Sequence, residues 1–344
     1  MEAFWSISNN SCIMTTISDI AEKLGVAPST VSRALAGSKE VSERTRQRVK
    51  ALAEQMNYTP NLWARNLARS KTDTIGCVIL QFSNTFFIPV IEAVEDIADT
   101  HGYSVITSQS RRSIELEKKI VHRLQMMQVA GLIITPTLED ISHLLAMKET
   151  GMPVIMVGRT HPQFDCISID NYKGGQLVAN YLLKHGFREI GVVISGERSN
   201  EPEKYRLKGL QETLKDNGLT LADEWIMVVG NNDPEGGMLA AQMWLKLKNK
   251  PRAVFCSNDQ LAIGLMQGIQ ASGRQVPEDI AVIGFDDIPL LDHMAVPLST
   301  VAYPKYEMGK IAMQKIIRKL DSFDNENEVE HFLLKPHLMA RASA

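Results

Sequence analysis

Several features are scarce in this 344-residue sequence. Its four cysteines, Cys12, Cys77, Cys166 and Cys256, are far apart and form no C-x-x-C pair. This pattern argues against a disulfide framework or a zinc site and predicts reduced thiols in a cytoplasmic protein. No apolar run approaches the roughly 20 residues of a membrane helix. Residues 1–13 also lack the basic start of a secretory signal.

Motifs of catalysis are missing as well. The sequence contains no G-x-S-x-G, no P-loop and no H-E-x-x-H, and its eight histidines show no metal-ligand spacing. Asp286 and Asp287 are adjacent carboxylates, but neighbours at the end of a strand point apart, which is unsuitable for paired acid and base chemistry. The sequence therefore predicts a protein that is not an enzyme and that has no cofactor and no metal.

Charge is distributed unevenly along the chain. Residues 15–72 hold ten Lys/Arg and five Asp/Glu, whereas residues 73–344 hold 27 and 34. The length suffices for two or three domains. A small basic module on a larger acidic body indicates binding to phosphate groups such as those of nucleic acid.

Three apolar patterns at helical spacing fall within this basic module. Gly25 separates the first two by a tight turn, Pro28 suits the first turn of the second helix, and Ser42 is placed to cap the third. Such a triplet predicts a helix-turn-helix. The apolar positions are Ile17, Ile20, Ala21 and Leu24 in the first helix, Val31, Ala34 and Leu35 in the second, and Val49, Leu52, Ala53 and Met56 in the third.

The module resembles the lactose-repressor (LacI/GalR) family of bacterial transcription regulators, which includes the lactose, galactose, purine and ribose repressors. The resemblance rests on ISDIAEKLGVAPSTVSRALAG at 17–37, VSERTRQRV at 41–49 and NYTPNLWARNLA at 57–68. One departure is Ala27, which stands where the family usually has a Ser or Thr that caps the second helix. Pro28 partly compensates for this loss because its ring fixes φ.

The resemblance implies contacts with double-stranded, palindromic operator DNA by a homodimer. Hydroxyl and guanidinium groups on the second helix can bond phosphates and base edges, although an ordinary solvated helix face is the plain alternative. A hinge helix would follow, with Leu67 wedged into the minor groove. The implied DNA-binding residues are Thr16, Pro28, Ser29, Thr30, Ser32, Arg33, Asn61, Ala64, Arg65 and Leu67.

The domain organisation follows from these blocks. Residues 1–14 are expected to be a disordered extension, with Met14 as a candidate start. Residues 15–60 form the helix-turn-helix domain, and 61–72 form the hinge helix and linker. Residues 73–344 form the core that binds the effector and carries the dimer interface.

Within this core, continuous apolar strands alternate with helical patterns, which predicts parallel sheets covered on both faces. The number of elements predicts two lobes, with a boundary near Asp170 and return crossings near 297–301 and 335. The fold class is thus α/β: an all-α helix-turn-helix domain followed by a two-lobed core. The order of elements resembles the periplasmic-binding-protein-like core of the same family, so the resemblance covers about residues 15–341.

The same resemblance implies a cleft that binds a small effector. It places ligand contacts at Arg206, Asn258 and Asp286, where Arg and Asp would clamp a polyol from opposite sides; a plain Arg206–Asp286 salt bridge is the alternative. Phe86 and Phe87 would stack on a sugar ring or plug the core, and the sequence favours neither. Arg159, with His161, would add positive charge suited to an acidic sugar or a phosphate ester.

The function predicted from the sequence is a repressor of a carbohydrate-utilisation operon that is controlled by a sugar-like effector. A purine- or metabolite-responsive regulator that needs a corepressor is the alternative, because purine-type members of the family work in that sense. A solute-binding receptor shares the two-lobed core, but it would need a secretion signal and would lack the basic helix-turn-helix. No membrane partner is expected.

A test of the hinge follows from the position of Leu67 in PNLWARNLA. Leu67→Ala should reduce operator bending and specific affinity, because the apolar wedge that unstacks a base step is lost. Non-specific binding, which depends on phosphate contacts and salt, should remain. Circular-permutation gel shifts measure the bend, and a wild-type bend angle in the variant would exclude the wedge.

Overall fold

The computed structural model describes residues 15–58, 72–137, 140–196, 201–321 and 328–344. The predicted extension lies outside these ranges, as do Asn61, Ala64, Arg65 and Leu67 of the predicted hinge. The chain divides into two compact units, Met1–Lys71 and Thr72–Ala344. Among the described residues, no helix is both long and apolar enough to cross a membrane.

The described part of the N-terminal unit, residues 15–58, holds three helices, α1 (Ile17–Leu24), α2 (Pro28–Leu35) and α3 (Glu43–Gln55). A capping box starts α1: the Thr16 hydroxyl accepts from the Asp19 N–H, and the Asp19 carboxylate accepts from the Thr16 N–H at 2.7 Å. Gly25 ends α1 at φ +63°, a left-handed conformation that favours glycine. No side chain caps α2, which has Ala27 before Pro28, as the sequence predicted.

The three helices share one small apolar core. Each helix buries apolar side chains of its periodic pattern in this core, and the polar face of α2 is therefore left facing solvent. The buried side chains are Ile20, Ala21, Val31, Ala34, Val41, Val49 and Ala53.

The second unit is built from two mainly parallel sheets with helices between the strands. The strands are β1 (Thr74–Ile79), β2 (Ser104–Gln109), β3 (Gly131–Ile134), β4 (Val154–Val157), β5 (Asp165–Ile169), β6 (Ile190–Ile194), β7 (Ile226–Val228), β8 (Ala253–Cys256), β9 (Ala281–Phe285), β10 (Ser299–Ala302), β11 (His331–Leu334) and β12 (His337–Met339). The helices are α4 (Ile88–Thr100), α5 (Ile114–Met126), α6 (Ser142–Glu149), α7 (Asn171–Lys184), α8 (Glu201–Asp216), α9 (Pro234–Lys246), α10 (Asp259–Ala271) and α11 (Lys305–Asp321).

The two sheets define two lobes. The first sheet has the order β11-β5-β4-β3-β1-β2, and the second has β12-β10-β9-β8-β6-β7. All neighbouring strands are parallel except β10 and β12. The strands β3, β4, β8 and β9 are apolar and buried at every position, because helices cover both faces of each sheet. This is the α/β architecture that the sequence predicted.

The chain passes between the lobes three times. It enters the second lobe after β5, at Asp170, and returns to the first lobe between β10 and α11. The stretch 297–301, predicted as a return crossing, instead includes most of β10, which is a strand of the second sheet; the passage follows it at 303–304. The last passage lies between β11 and β12, at 335–336.

The three cysteines within the described ranges, Cys77, Cys166 and Cys256, are buried and free. Cys77 and Cys256 lie in strands β1 and β8, and Cys166 lies in β5. Burial raises the pKa of the Cys77 thiol to about 12 and that of Cys166 to about 11. These thiols therefore remain protonated and serve as small apolar filler.

Helices α7 and α8 approach each other closely at two glycines. A Cβ on Gly175 would lie 2.0 Å from the Arg206 carbonyl oxygen, and one on Gly209 would lie 2.0 Å from that of Tyr172. Only glycine permits this backbone contact, which holds the part of α8 that carries Arg206 against α7.

Gly175→Ala should therefore destabilise the protein by about 1–3 kcal/mol, because the added methyl group must push α8 away. Asn180→Ala is the matched control, since Asn180 is exposed on the same helix. Urea denaturation followed by circular dichroism gives both values. Equal stability of the two variants would show that the close contact is not required.

Candidate DNA-binding surface and ligand cavity

Helix α2 presents a polar surface on the N-terminal unit. Pro28, Ser29, Ser32 and Arg33 are exposed, and Thr30 is half-buried. Their neighbours Val31 and Ala34 are buried on the opposite side of the helix. The arrangement leaves hydroxyl and guanidinium groups available to a groove of DNA.

Thr16 has a structural task in addition to its predicted DNA contact. Its hydroxyl donates to Asp19 Oδ2 at 2.8 Å within the capping box. The hydrogen bonds from the Thr16 N–H and from the Thr16 hydroxyl lower the pKa of the Asp19 carboxyl. A DNA contact by Thr16 remains a prediction.

Arg33 pairs with an acidic neighbour on the same surface. Its Nη1 lies 3.4 Å from Glu40 Oε2, and the side chains are 60% and 71% exposed. An ion pair this exposed contributes at most about 1 kcal/mol. Arg33 can therefore exchange this partner for a phosphate or a base edge at little cost.

The second unit contains a cavity of about 100 Å³ between its two lobes. It lies where the carboxyl ends of the strands meet, the usual position of ligand sites in open α/β sheets. All six predicted effector residues line it. The lining residues are Leu80, Asn84, Phe86, Phe87, Arg112, Thr135, Gly158, Arg159, Ile169, Pro202, Arg206, Asn232, Ser257, Asn258, Asp286, Tyr303 and Met308.

Arg206, on α8, is buried at the floor of the cavity. Its Nε donates to Asn171 Oδ1 at 2.9 Å and its Nη1 donates to the Ser257 carbonyl at 2.5 Å. Its Nη2 donates to Asp286 Oδ1 at 3.3 Å. The guanidinium also stacks on the Phe285 ring, with Cζ 3.6 Å from the ring centre. All three nitrogens are thus engaged.

Asp286 lies beside Arg206, so the prediction that the two flank a ligand from opposite sides was wrong. Both belong to the second lobe and form a buried ion pair. Asp286 Oδ1 also accepts from the Tyr303 hydroxyl at 2.9 Å. Burial raises the pKa of the Asp286 carboxyl, although Arg206 and Tyr303 oppose this shift. The ion pair therefore presents the donor groups of Arg206 and the acceptor atoms of Asp286 next to each other in the lining of the cavity.

The turn that carries Asp286 is strained. Asp286 and Asp287 have φ values of +114° and +50°, which are unfavourable for residues with a Cβ. Lys305 Nζ holds both carbonyl oxygens, at 2.5 and 2.8 Å. Buried Asp259 accepts from the Ile288 N–H at 2.9 Å. These bonds keep Asp286 directed at Arg206.

Asn258, from the second lobe, and the aromatic residues complete the lining of the cavity. Asn258 caps α10 by accepting from the Leu261 N–H at 2.8 Å, and it donates to Asn232 Oδ1 at 2.9 Å. Phe86 is packed edge-on against Phe87, and its centre lies 5.9 Å from that of Tyr303. Both phenylalanines are buried in the core and also line the cavity, so each predicted role has a structural basis.

The basic residues that line the cavity differ from the predicted ones at one position. Arg159 lines the cavity, but His161 is not among the lining residues; its ring packs against Phe164, with 5.7 Å between the ring centres. Arg112, which sequence reasoning missed, lies in the lining instead. The signal was present, since Arg112 follows the end of strand β2, where cleft residues of parallel sheets gather.

Comparisons with known proteins agree with both units. The family model described as bacterial regulatory proteins, lacI family, matches residues 16–61. A model for a periplasmic binding protein-like domain matches residues 179–344. An HTH-type transcriptional repressor named PurR, from Vibrio vulnificus strain CMCP6, is 32% identical over 332 residues, which is 95% of this chain and 98% of that protein.

Two solved structures share the whole architecture. A lac repressor dimer bound to operator and the anti-inducer ONPF is 27% identical, with a TM-score of 0.83, and the match covers 96% of this chain and 99% of that one. A complex of the transcriptional regulator CelR with cellobiose is 26% identical, with a TM-score of 0.72, and covers 96% and 100%.

Arg33→Ala should weaken operator binding by about 1–3 kcal/mol if Arg33 makes a bidentate base contact, and should relax sequence preference at one position. Arg48→Ala is a charge-matched control on an exposed position of α3. Fluorescence anisotropy on operator variants measures both effects. Unchanged sequence preference in the Arg33 variant would exclude the base contact.

Proposed function

Because the chain belongs to the lacI family of bacterial regulatory proteins, and is a DNA-binding transcriptional repressor with a small-molecule effector, we propose that a sugar-like effector in the cavity controls its binding as a homodimer to a palindromic operator. The observation that carries this proposal is the buried Arg206–Asp286 pair in the lining of the cavity. The protein would act by binding alone, in the cytoplasm, on bacterial DNA.

The proposed DNA surface consists of α2 together with the hinge. Ser29, Thr30, Ser32 and Arg33 would read bases and phosphates, with Thr16 and Pro28 placing the helix. A palindromic site requires a two-fold symmetric partner. The lac repressor relative is a dimer on its operator, which supports the same assembly here.

The second unit offers apolar surface for such a dimer. Met238 and Leu239 are 45% and 43% exposed on α9, and Val228 is 52% exposed on the edge strand β7. The helix and the strand contact each other, and exposed apolar side chains on neighbouring elements favour a protein partner. A second copy of the chain would cover them.

The chemistry of the cavity suits a polyhydroxylated ligand. The Arg206–Asp286 ion pair supplies hydrogen-bond donors and an acceptor for hydroxyl groups, and Asn258 and Asn232 add amide groups. Phe86 and Tyr303 supply aromatic surface for a sugar ring. The CelR relative, which is similar throughout, was solved with a disaccharide.

A purine or another metabolite that acts as corepressor is the second candidate. The flat aromatic surface of Phe86 and Tyr303 would suit a planar ring as well. The name PurR of the Vibrio vulnificus relative also favours it. A ligand screen that includes sugars and purines separates the two classes, since bound ligand raises the melting temperature.

The switch would operate by linkage between two sites. A ligand that prefers one arrangement of the lobes changes operator affinity by some factor, and the operator changes ligand affinity by the same factor. The Arg206–Asp286 pair contacts the ends of several elements, so a ligand that bonds to it can favour one arrangement.

Asp286→Asn should abolish the effect of ligand on operator affinity while operator binding persists, because the DNA surface lies in the other unit. Asparagine preserves the shape and an acceptor for Tyr303. Arg206→Lys is a second variant that keeps a charge; Arg206→Ala is less suitable, since it buries an unpaired carboxylate.

Lys208→Ala, at an exposed position of α8, is the control. Anisotropy with labelled operator, with and without ligand, gives the response factor for each protein. A normal factor in both the Asp286 and the Arg206 variants would place the effector site elsewhere.

A further inference from the structure

We propose that Lys305 is a positioning residue that couples the ligand cavity to the arrangement of the two lobes. Its ammonium group is carried by the first lobe and holds the backbone of the second-lobe turn that presents Asp286. This role rests on the proposed effector function of the cavity, and it names the contact through which a bound effector would be felt in the other lobe.

Lys305 is the first residue of α11 and directly follows the passage of the chain at 303–304. The residue is only 8% exposed, and its Nζ donates to the carbonyl oxygens of Asp286 and Asp287 at 2.5 and 2.8 Å. Burial lowers the pKa of the Lys305 amine, although the carboxylates of Asp286, Asp287 and Asp259 oppose this shift. A buried cation with two hydrogen bonds therefore joins a first-lobe helix to the backbone of the second lobe.

The turn after β9 is also held from its own lobe. Arg341 Nη2 lies 2.8 Å from Asp287 Oδ1, and buried Asp259 accepts from the Ile288 N–H at 2.9 Å. Between these contacts and the lysine, Asp286 and Asp287 keep φ values of +114° and +50°. Strain of this kind is retained only where the surroundings enforce it, and it is typical of elements that switch. Contacts from either lobe can therefore shift this turn.

A ligand at Asp286 would act on the same turn. The Asp286 carboxylate lines the cavity, and its Oδ1 accepts from Arg206 Nη2 at 3.3 Å and from the Tyr303 hydroxyl at 2.9 Å. A ligand hydroxyl that bonds to this carboxylate competes with these two donors and reorients the side chain. Because Lys305 bonds to the carbonyl of the same residue, a change in the turn reaches α11 directly.

Behind Lys305, α11 is firmly attached to the rest of the first lobe. A Cβ on Gly309 would lie 2.1 Å from the Val90 carbonyl oxygen, so α11 and α4 touch at their backbones. The Tyr306 hydroxyl donates to Asp96 Oδ2 at 2.8 Å between the same two helices. A displacement of Lys305 therefore moves two packed helices together and is not absorbed in a loop.

The first test measures the distance between the lobes in the full chain without ligand. Lys119→Cys on α5 and Lys215→Cys on α8 place spin labels at one exposed position of each lobe. A Cys12→Ser background is used because the other three cysteines are buried. Labelled chains are mixed with excess unlabelled chains, so that distances within one chain dominate. Lys305→Met removes the ammonium group and should broaden or shift the distance distribution by more than about 2 Å.

Lys310→Met is the matched control, because Lys310 lies on the same helix, is 37% exposed and pairs with Glu307 of that helix. It should leave the distance distribution unchanged. Lys305→Arg keeps a cationic donor and should restore part of the wild-type distribution. Lys305→Gln, which keeps an N–H donor without the charge, is measured in place of Lys305→Met if circular dichroism shows that the methionine variant does not fold.

The second test measures coupling with glucose, cellobiose, adenine and guanine as probes. Calorimetry gives the Kd of each probe, and anisotropy gives the factor by which the probe changes operator affinity. Such factors are typically about 5- to 150-fold. For a probe that acts on the wild type, Lys305→Met should bring this factor close to one and change Kd much less. Asp286→Asn should lose probe binding itself.

A distance distribution in Lys305→Met that matches the wild type would overturn the proposal, and so would a normal response factor in that variant. Equal losses of Kd and of the response factor, together with a lower melting temperature, would show that the lysine is merely structural. If none of the four probes affects the wild type, the proposed sugar or purine effector fails, and the distance measurement still decides whether Lys305 sets the arrangement of the lobes.

Discussion

One buried guanidinium group holds together the second-lobe side of the cavity between the lobes. Arg206 bonds to the first residue of α7, to the residue after β8 and to the residue after β9, and it stacks on the last residue of β9. A buried charge is tolerated only when its partners are all in place. The positions of these elements are therefore interdependent, and a ligand that replaced one of these bonds would change the others.

Much of the fold could be predicted because its determinants are local. The helix at Ile17–Leu24 follows from apolar spacing and a capping residue, and the buried strands follow from short apolar runs between helices. The six predicted effector residues share the cavity because parallel strands bring their carboxyl ends to one edge. The family resemblance supplied Arg206, Asn258 and Asp286, which composition and spacing alone would not have selected.

What the sequence did not reveal depends on backbone conformation and on contacts between distant residues. The position of Arg112 after β2 made it a candidate for the cleft, but the left-handed conformation of Arg111 and Arg112 is not predicted by the local sequence Arg-Arg-Ser. Tyr303 and Lys305 reach Asp286 only because the chain crosses between the lobes directly after β10, at 303–304. His161 was predicted to lie in the cavity with Arg159, two residues before it. Its ring packs on Phe164 instead, and this contact could not be predicted from its position in the loop.

The order of elements has a consequence for how the protein is made on the ribosome. The first sheet is complete only with α11 and β11, which follow the whole of the second lobe along the chain, and the second sheet awaits β12. Neither lobe can finish folding before residues 331–339 have been synthesised, whereas the three described N-terminal helices involve only neighbouring segments. Newly made molecules therefore acquire a folded helix-turn-helix before they acquire the cavity that would regulate it.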